Sequence, residues 1–205
     1  MKSRTFMKRR SFLRAGLAGA VVGGATLAAP AVHAAKHTRW RMTTSFPPGL
    51  PFYQSGPGSA EWIVKAIDEA TDGRLKIKLF AAGELVKWNG GFDAVTGGTV
   101  EANSAVAYYW SGKAPALQYF GTVPFGMTFQ GQNAWYYHGG GLELWNEIYN
   151  DFGVIGMPCG NSGVQMTGWF KKPVKGLSDF KGLKMRIPGL GGKIYKAIGV
   201  NVKSL

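Results

Sequence analysis

The chain has 205 residues, 45% of them hydrophobic and 13% aromatic, enough apolar material for a sizeable core, while 17% charge is too little for a disordered polyelectrolyte. A net charge of +13 invites a nucleic-acid partner, yet Lys2, Arg4, Lys8, Arg9, Arg10 and Arg14 supply six of those charges within residues 1–34, where no acid occurs, and only +7 is left from Ala35 onward. The single cysteine, Cys159, has no intrachain partner, which excludes a small disulfide-stapled domain.

The predicted elements begin with a leader. A basic start containing "KRRSFLRAG" runs into Ala, Gly, Val and Leu up to Ala29, and "PAVHA" offers small residues for cleavage after Ala34. Arg9 and Arg10, followed by Ser11, Phe12 and Leu13, resemble a twin-arginine export signal, so residues 1–34 read as a signal peptide for the periplasm. The apolar run is too short and glycine-rich for a membrane span, which needs about 20 apolar residues.

From Ala35 the periodicity alternates. A strand is expected over 39–46 and a helix over 59–73, capped by Ser59, with Trp62, Ile63, Ala66, Ile67 and Ala70 at helical spacing and Gly73 as its stop. In "RLKIKLF" the residues Leu75, Ile77 and Leu79 alternate with Arg74, Lys76 and Lys78, the period of a half-buried strand. A short helix within "NGGFDAVTGGTVEA" and a buried strand over 103–110 continue the alternation, which predicts an α/β domain with a largely parallel sheet. The next stretch, rich in Gly, Pro and aromatics, carries no clear element. A helix follows over 142–153, with Leu142, Trp145, Ile148 and Tyr149 on one face. Residues 154–172 read as a strand broken by Pro158, Gly160 and Gly163, as expected where a chain crosses between lobes. A helical turn and a strand fall in "LSDFKGLKMRIPG" and a last helix in "GKIYKAIGV"; "VNVKSL" then stops where the next strand is needed, so the chain reads as truncated.

Few residues suggest chemistry. "GLGG" (189–192) before a helix resembles a phosphate cradle but lacks the spacing of a nucleotide motif, and reads more simply as a tight strand-to-helix turn. Tyr108, Tyr109 and Trp110 form a base-stacking platform only if a basic stripe interleaves them; none does, so they read as core or pocket wall and nucleic acid is not an expected partner. The acids are scattered, without ligand spacing for a metal or a carboxylate pair for glycoside hydrolysis. Cys159 as a nucleophile needs His37 or His138 as base, with no local signature; the ordinary reading is a buried small residue. Arg186 stands between a short strand and a helix, where its planar fork suits either a carboxylate ligand or a structural ion pair.

The leader together with "GRLKIKLFAAGEL", "NSAVAYYWSGKAPALQYF", "CGNSGVQMTGWFKKPVKGLSDFKGLKMRIPG" and "GKIYKAIGVNV" resembles the solute-binding subunits of tripartite ATP-independent periplasmic (TRAP) transporters, the DctP-type family, and within it the branch for 2-oxo monocarboxylates such as pyruvate. The resemblance implies a two-lobed periplasmic-binding-protein-like α/β fold with mixed, largely parallel sheets that closes by hinge motion. The first lobe is expected over 35–157 and the start of the second over 158–205, incomplete because full members are longer. It also implies a receptor and not an enzyme, with Arg186 pairing the substrate carboxylate and Asn161, Tyr108 and Tyr109 hydrogen-bonding or walling the ligand. Gln165 is the implied ligand of a bound sodium ion, whose site is completed by a strand beyond residue 205; no other cofactor is implied. The expected partners are a small carboxylate and the small and large membrane subunits, with room for a homodimer. Lactate or another small carboxylate is the alternative ligand, and a secreted α/β enzyme or a cationic envelope-binding protein the alternative class.

Overall fold

The computed structural model describes residues 37–54 and 56–203. The expected signal peptide, 1–34, lies outside the described residues. The strands sort into two parallel sheets, one of three strands in the order β2-β1-β3 and one of two, β4-β5.

The first sheet is built as the sequence pattern dictates. β1 (Thr38–Thr44) pairs in parallel with β2 (Leu75–Phe80), Thr38 opposite Leu75 and Thr43 opposite Phe80, and with β3 (Ala102–Ser104), Met42 opposite Ala102. Leu75, Ile77 and Leu79 turn inward while Lys76 and Lys78 stay exposed, the period-2 alternation of one covered face. The crossover between β1 and β2 is α1 (Ala60–Ala70): the Ser59 hydroxyl accepts from the Trp62 amide at 3.3 Å, satisfying one of the free N–H groups of the first turn. The chain leaves α1 through Asp72 and Gly73, both at positive φ. Trp62, expected on the apolar face, remains 46% exposed. The second crossover uses α2 (Gly91–Thr96).

Beyond β3 the structure departs from the expected buried strand over 103–110. Pairing ends at Ser104, and residues Ala107–Trp110 wind into a 3-10 turn that delivers Ala107 and Trp110 to the core. A second 3-10 turn, Pro115–Tyr119, inserts the fully buried Leu117. The Gly- and aromatic-rich stretch holds a helix that the periodicity did not reveal, α3 (Phe129–His138), whose Thr128 cap accepts from the Gly131 amide at 3.2 Å. Its polar first turns hide it; Tyr136 alone is buried. α4 (Gly141–Asn150) presents Trp145 and Tyr149 to the core, with Leu142 and Ile148 packed at its border. The core is largely aromatic: Phe92 stacks on Trp110 with centroids 5.2 Å apart, and Phe120 lies between Trp135 and Trp145 at 5.6 and 5.4 Å. Each such pair adds about 0.5–1.5 kcal/mol beyond its buried area.

Residues 154–172, read as a broken strand, form no strand at all. Asn161 Oδ1 accepts from the Gly163 amide in a local turn, Gly163 has φ +71°, and Met157, Val164, Met166 and Trp169 are exposed. Cys159, expected to be buried, is exposed too. The second sheet follows a 3-10 turn, Leu177–Phe180: β4 (Lys184–Arg186), α5 (Gly189–Ala197) and β5 (Asn201–Lys203) make one parallel unit, Arg186 opposite Lys203. "VNVKSL" therefore supplies the strand that the sequence reading placed further on.

Candidate functional site

In parallel α/β sheets ligands bind beyond the carboxyl ends of the strands, where loops and helix N-termini converge. The polar residues of this chain collect there. Thr43, Thr44 and Ser45 end β1 and Ser104 ends β3, all buried, and the Ser45 amide donates to the Ser104 carbonyl at 3.0 Å. Thr43 Oγ1 donates to Asn103 Oδ1 at 3.0 Å, and Ser45 Oγ to the Trp88 carbonyl at 2.6 Å. Sequence reasoning passed over this group. Its signal was the run "TTS" at the end of one parallel strand and "NS" at the end of another.

Tyr108 and Tyr109 sit just past the carboxyl end of β3, their rings edge to face with centroids 5.0 Å apart, and Tyr109 makes a second edge contact with Trp88 at 5.1 Å. Tyr108 is clasped between two glycines. A methyl group added to Gly121 would lie 2.9 Å from its ring and one on Gly189 3.3 Å. Gly189 also has φ +65°, so the "GLGG" run forms the first turn of α5 and admits the tyrosine by close backbone approach.

Arg186 is the last residue of β4, three positions before α5 begins, and is exposed. Among the described residues it has no ion-pair partner, so the structural reading of this arginine finds no support here. Its positive charge reaches Tyr108. Burial pushes the Tyr108 phenol up to about 12, Tyr109 adds to the rise, and the Arg186 guanidinium opposes it. A guanidinium and the first turn of α5 thus lie three residues apart, the latter packed on the neutral Tyr108 ring, a combination that favours an anion. The surroundings reinforce it, since residues 158–203 hold nine basic residues and one acid, Asp179.

Asn161 and Gln165 stand on the exposed loop before β4 and bond locally, Asn161 to Gly163 and Gln165 Nε2 to Ser162 Oγ at 2.8 Å. Tyr108 packs against Tyr109 and against the backbone of Gly189, three residues after Arg186, while the hydrogen bonds of Asn161 and Gln165 stay within their own loop. Among the described residues no cluster of three or more His, Cys, Asp or Glu side chains is arranged for a metal. Although Cys159 is exposed as a residue, its thiol is partly shielded and is pushed above its ordinary value, chiefly by loss of solvation, with the Ser104 hydroxyl opposing, and a protonated thiol is a poor nucleophile. Of its two candidate bases, His37 bonds the Gly73 carbonyl through Nδ1 at 3.1 Å and His138 closes α3.

The chain as a whole is similar to known proteins. A protein from Nostoc sp. strain PCC 7120, described as a monocarboxylate 2-oxoacid-binding periplasmic protein, is 52% identical over 169 residues, covering 82% of this chain and 45% of its own. A TRAP periplasmic solute-binding protein from Pseudoalteromonas atlantica T6c, solved with bound sodium and pyruvate, superposes with a TM-score of 0.77 at 40% identity, covering 83% of this chain and 51% of that one. Another from Colwellia psychrerythraea, with bound calcium and pyruvate, gives 0.76 at 37% identity over the same shares. This chain spans about half the length of these relatives. Residues 56–205 match the model of the bacterial extracellular solute-binding proteins, family 7, and the chain belongs to that family, DctP.

Proposed function

We propose that this chain carries part of the binding cleft of a periplasmic TRAP receptor that captures a small 2-oxo monocarboxylate of pyruvate type and delivers it to membrane permease subunits. One observation carries the reading: Arg186, exposed and without an acidic partner among the described residues, ends β4 three residues before Gly189, whose backbone packs against the half-buried Tyr108. An anion entering there gains a bidentate, charge-assisted pair and meets a neutral phenol able to donate. The pyruvate in the Pseudoalteromonas and Colwellia proteins supports the ligand class. Tyr109 walls the ligand, and Asn161 reaches it when the lobes, 35–157 and 158–205, close at their hinge.

A hard cation fits this donor set as a shared ion. Gln165 spends its amide nitrogen on Ser162, which leaves Oε1 as an acceptor of the kind that sodium or calcium takes. That one oxygen would be this chain's share of the shell, and a bound cation would supply a second positive charge for the oxo acid.

The test is calorimetry on the full-length protein with pyruvate, 2-oxobutyrate, lactate and succinate. Pyruvate has six non-hydrogen atoms, so a ceiling of about −1.5 kcal/mol per atom caps its affinity near −9 kcal/mol, roughly a few tenths of a micromolar. The 2-oxo monocarboxylates should rank first and weaken when a bulky organic cation replaces sodium. Preference for succinate or lactate would overturn the ligand assignment.

A further inference from the structure

α5 reaches the first sheet's layer through a bond that the anion site itself does not require. Lys193 Nζ donates to Gln118 Oε1 at 2.9 Å, across 75 positions of chain. The acceptor is held firmly: Gln118 is 7% exposed and lies between the fully buried Leu117 and Tyr119 in the second 3-10 turn. The donor belongs to an exposed residue, so the bond can break without stranding a charge. Lys193 lies four residues after Gly189, on the same face of α5. That face therefore meets Tyr108 at one turn and Gln118 at the next.

We propose that Lys193 is a positioning residue: its bond to Gln118 clasps α5 against the 115–119 turn and so holds the turn between Arg186 and Gly189 against Tyr108. The inference rests on the reading of Arg186 and Tyr108 as the anion site, and adds a residue that touches no ligand. A clasp acts on the fraction of molecules that are closed. The apparent dissociation constant is the intrinsic one divided by that fraction, so losing the clasp weakens every ligand by the same factor. A residue in contact with ligand would instead alter the ranking of ligands. Because the acceptor is neutral, added salt should weaken the clasp less than it would weaken an exposed ion pair.

The experiment uses full-length wild type, Lys193→Met, Gln118→Leu, the double variant and Lys193→Arg. Hydrogen exchange is measured without ligand, and affinity for pyruvate and 2-oxobutyrate with it. Amides of 115–119 and of α5 should exchange faster in both apolar variants, and both oxo acids should bind about five- to tenfold more weakly, as for the net loss of one partly exposed hydrogen bond of about 1 kcal/mol. The double variant should lose no more than either single one, and Lys193→Arg should retain most of the affinity. Unchanged exchange overturns the clasp. Faster exchange with unchanged affinity, additive losses, or a changed ratio between the two oxo acids overturns its positioning role. If wild type itself binds neither oxo acid, the functional reading fails while the exchange data still decide the clasp.

Discussion

On the proposed reading, Arg186 and Tyr108 divide the binding work between charge and shape. The guanidinium supplies a permanent charge in a planar fork, and lysine would keep the charge without the fork. Arg186→Lys should therefore bind pyruvate about tenfold more weakly, by analogy with loss of one charge-assisted bond, and discriminate less between 2-oxo acids and other small carboxylates. Calorimetry with pyruvate and acetate checks this; an unchanged ratio would show that the fork is not used. Tyr108 adds a pH dependence whose sign follows from burial. Its folded phenol lies near 12 against an ordinary 10.0, so its contribution to stability is complete below pH 10 and lost as pH climbs through about 12. Tyr136, also pushed up to about 12 by burial, behaves alike. Urea midpoints between pH 9 and 12 should fall more steeply in wild type than in Tyr108→Phe, and parallel curves would contradict the assignment.

At the scale of elements, legibility followed periodicity. β2 was readable because one face is covered and the other wet, so Lys76 and Lys78 alternate with their apolar neighbours; α1 and α4 carried caps or apolar faces of the same clarity. α3 was not readable, because its burial is concentrated in Tyr136 among Gln, Asn and Gly. The 3-10 turn at 107–110 looked like a strand because a run of apolar and aromatic residues has no period, and tertiary packing of Trp110 decided its shape. Of the proposed site, the role of Arg186 as a carboxylate partner came only from the family resemblance, while its position between strand and helix was legible. The polar ends of β1 and β3 were not, because their meeting depends on pairing 60 residues apart. α5 offers a test of how an element shapes the site. Gly189→Ala forces a side chain into positive φ and against the Tyr108 ring, costing about 1–2 kcal/mol. Urea denaturation should show that loss together with weaker pyruvate binding. Gly112→Ala, where nothing lies within 4 Å and φ is ordinary, should change neither.

Across the whole molecule, charge is unevenly distributed: residues 1–34 hold six basic residues and no acid, and residues 158–203 hold nine basic residues and one acid. If residues 1–34 address the twin-arginine route, Arg9→Lys with Arg10→Lys should leave precursor in the cytoplasm, detected by fractionation and immunoblot, whereas unchanged periplasmic yield would point to a route that reads charge alone. The central claim is that Arg186 holds the ligand carboxylate and has no structural duty in the empty protein. A thermal melt of full-length wild type and Arg186→Ala, each with and without saturating pyruvate, tests it most directly. A ligand bound only by the native state raises the melting temperature, by about 2.7 kcal/mol of stabilisation at a hundredfold excess over Kd. Wild type should gain that shift, and Arg186→Ala should melt at the ligand-free wild-type temperature in both conditions. A large fall in the ligand-free melt of Arg186→Ala, with the pyruvate shift retained, would show that Arg186 is a structural residue and that the carboxylate is bound elsewhere.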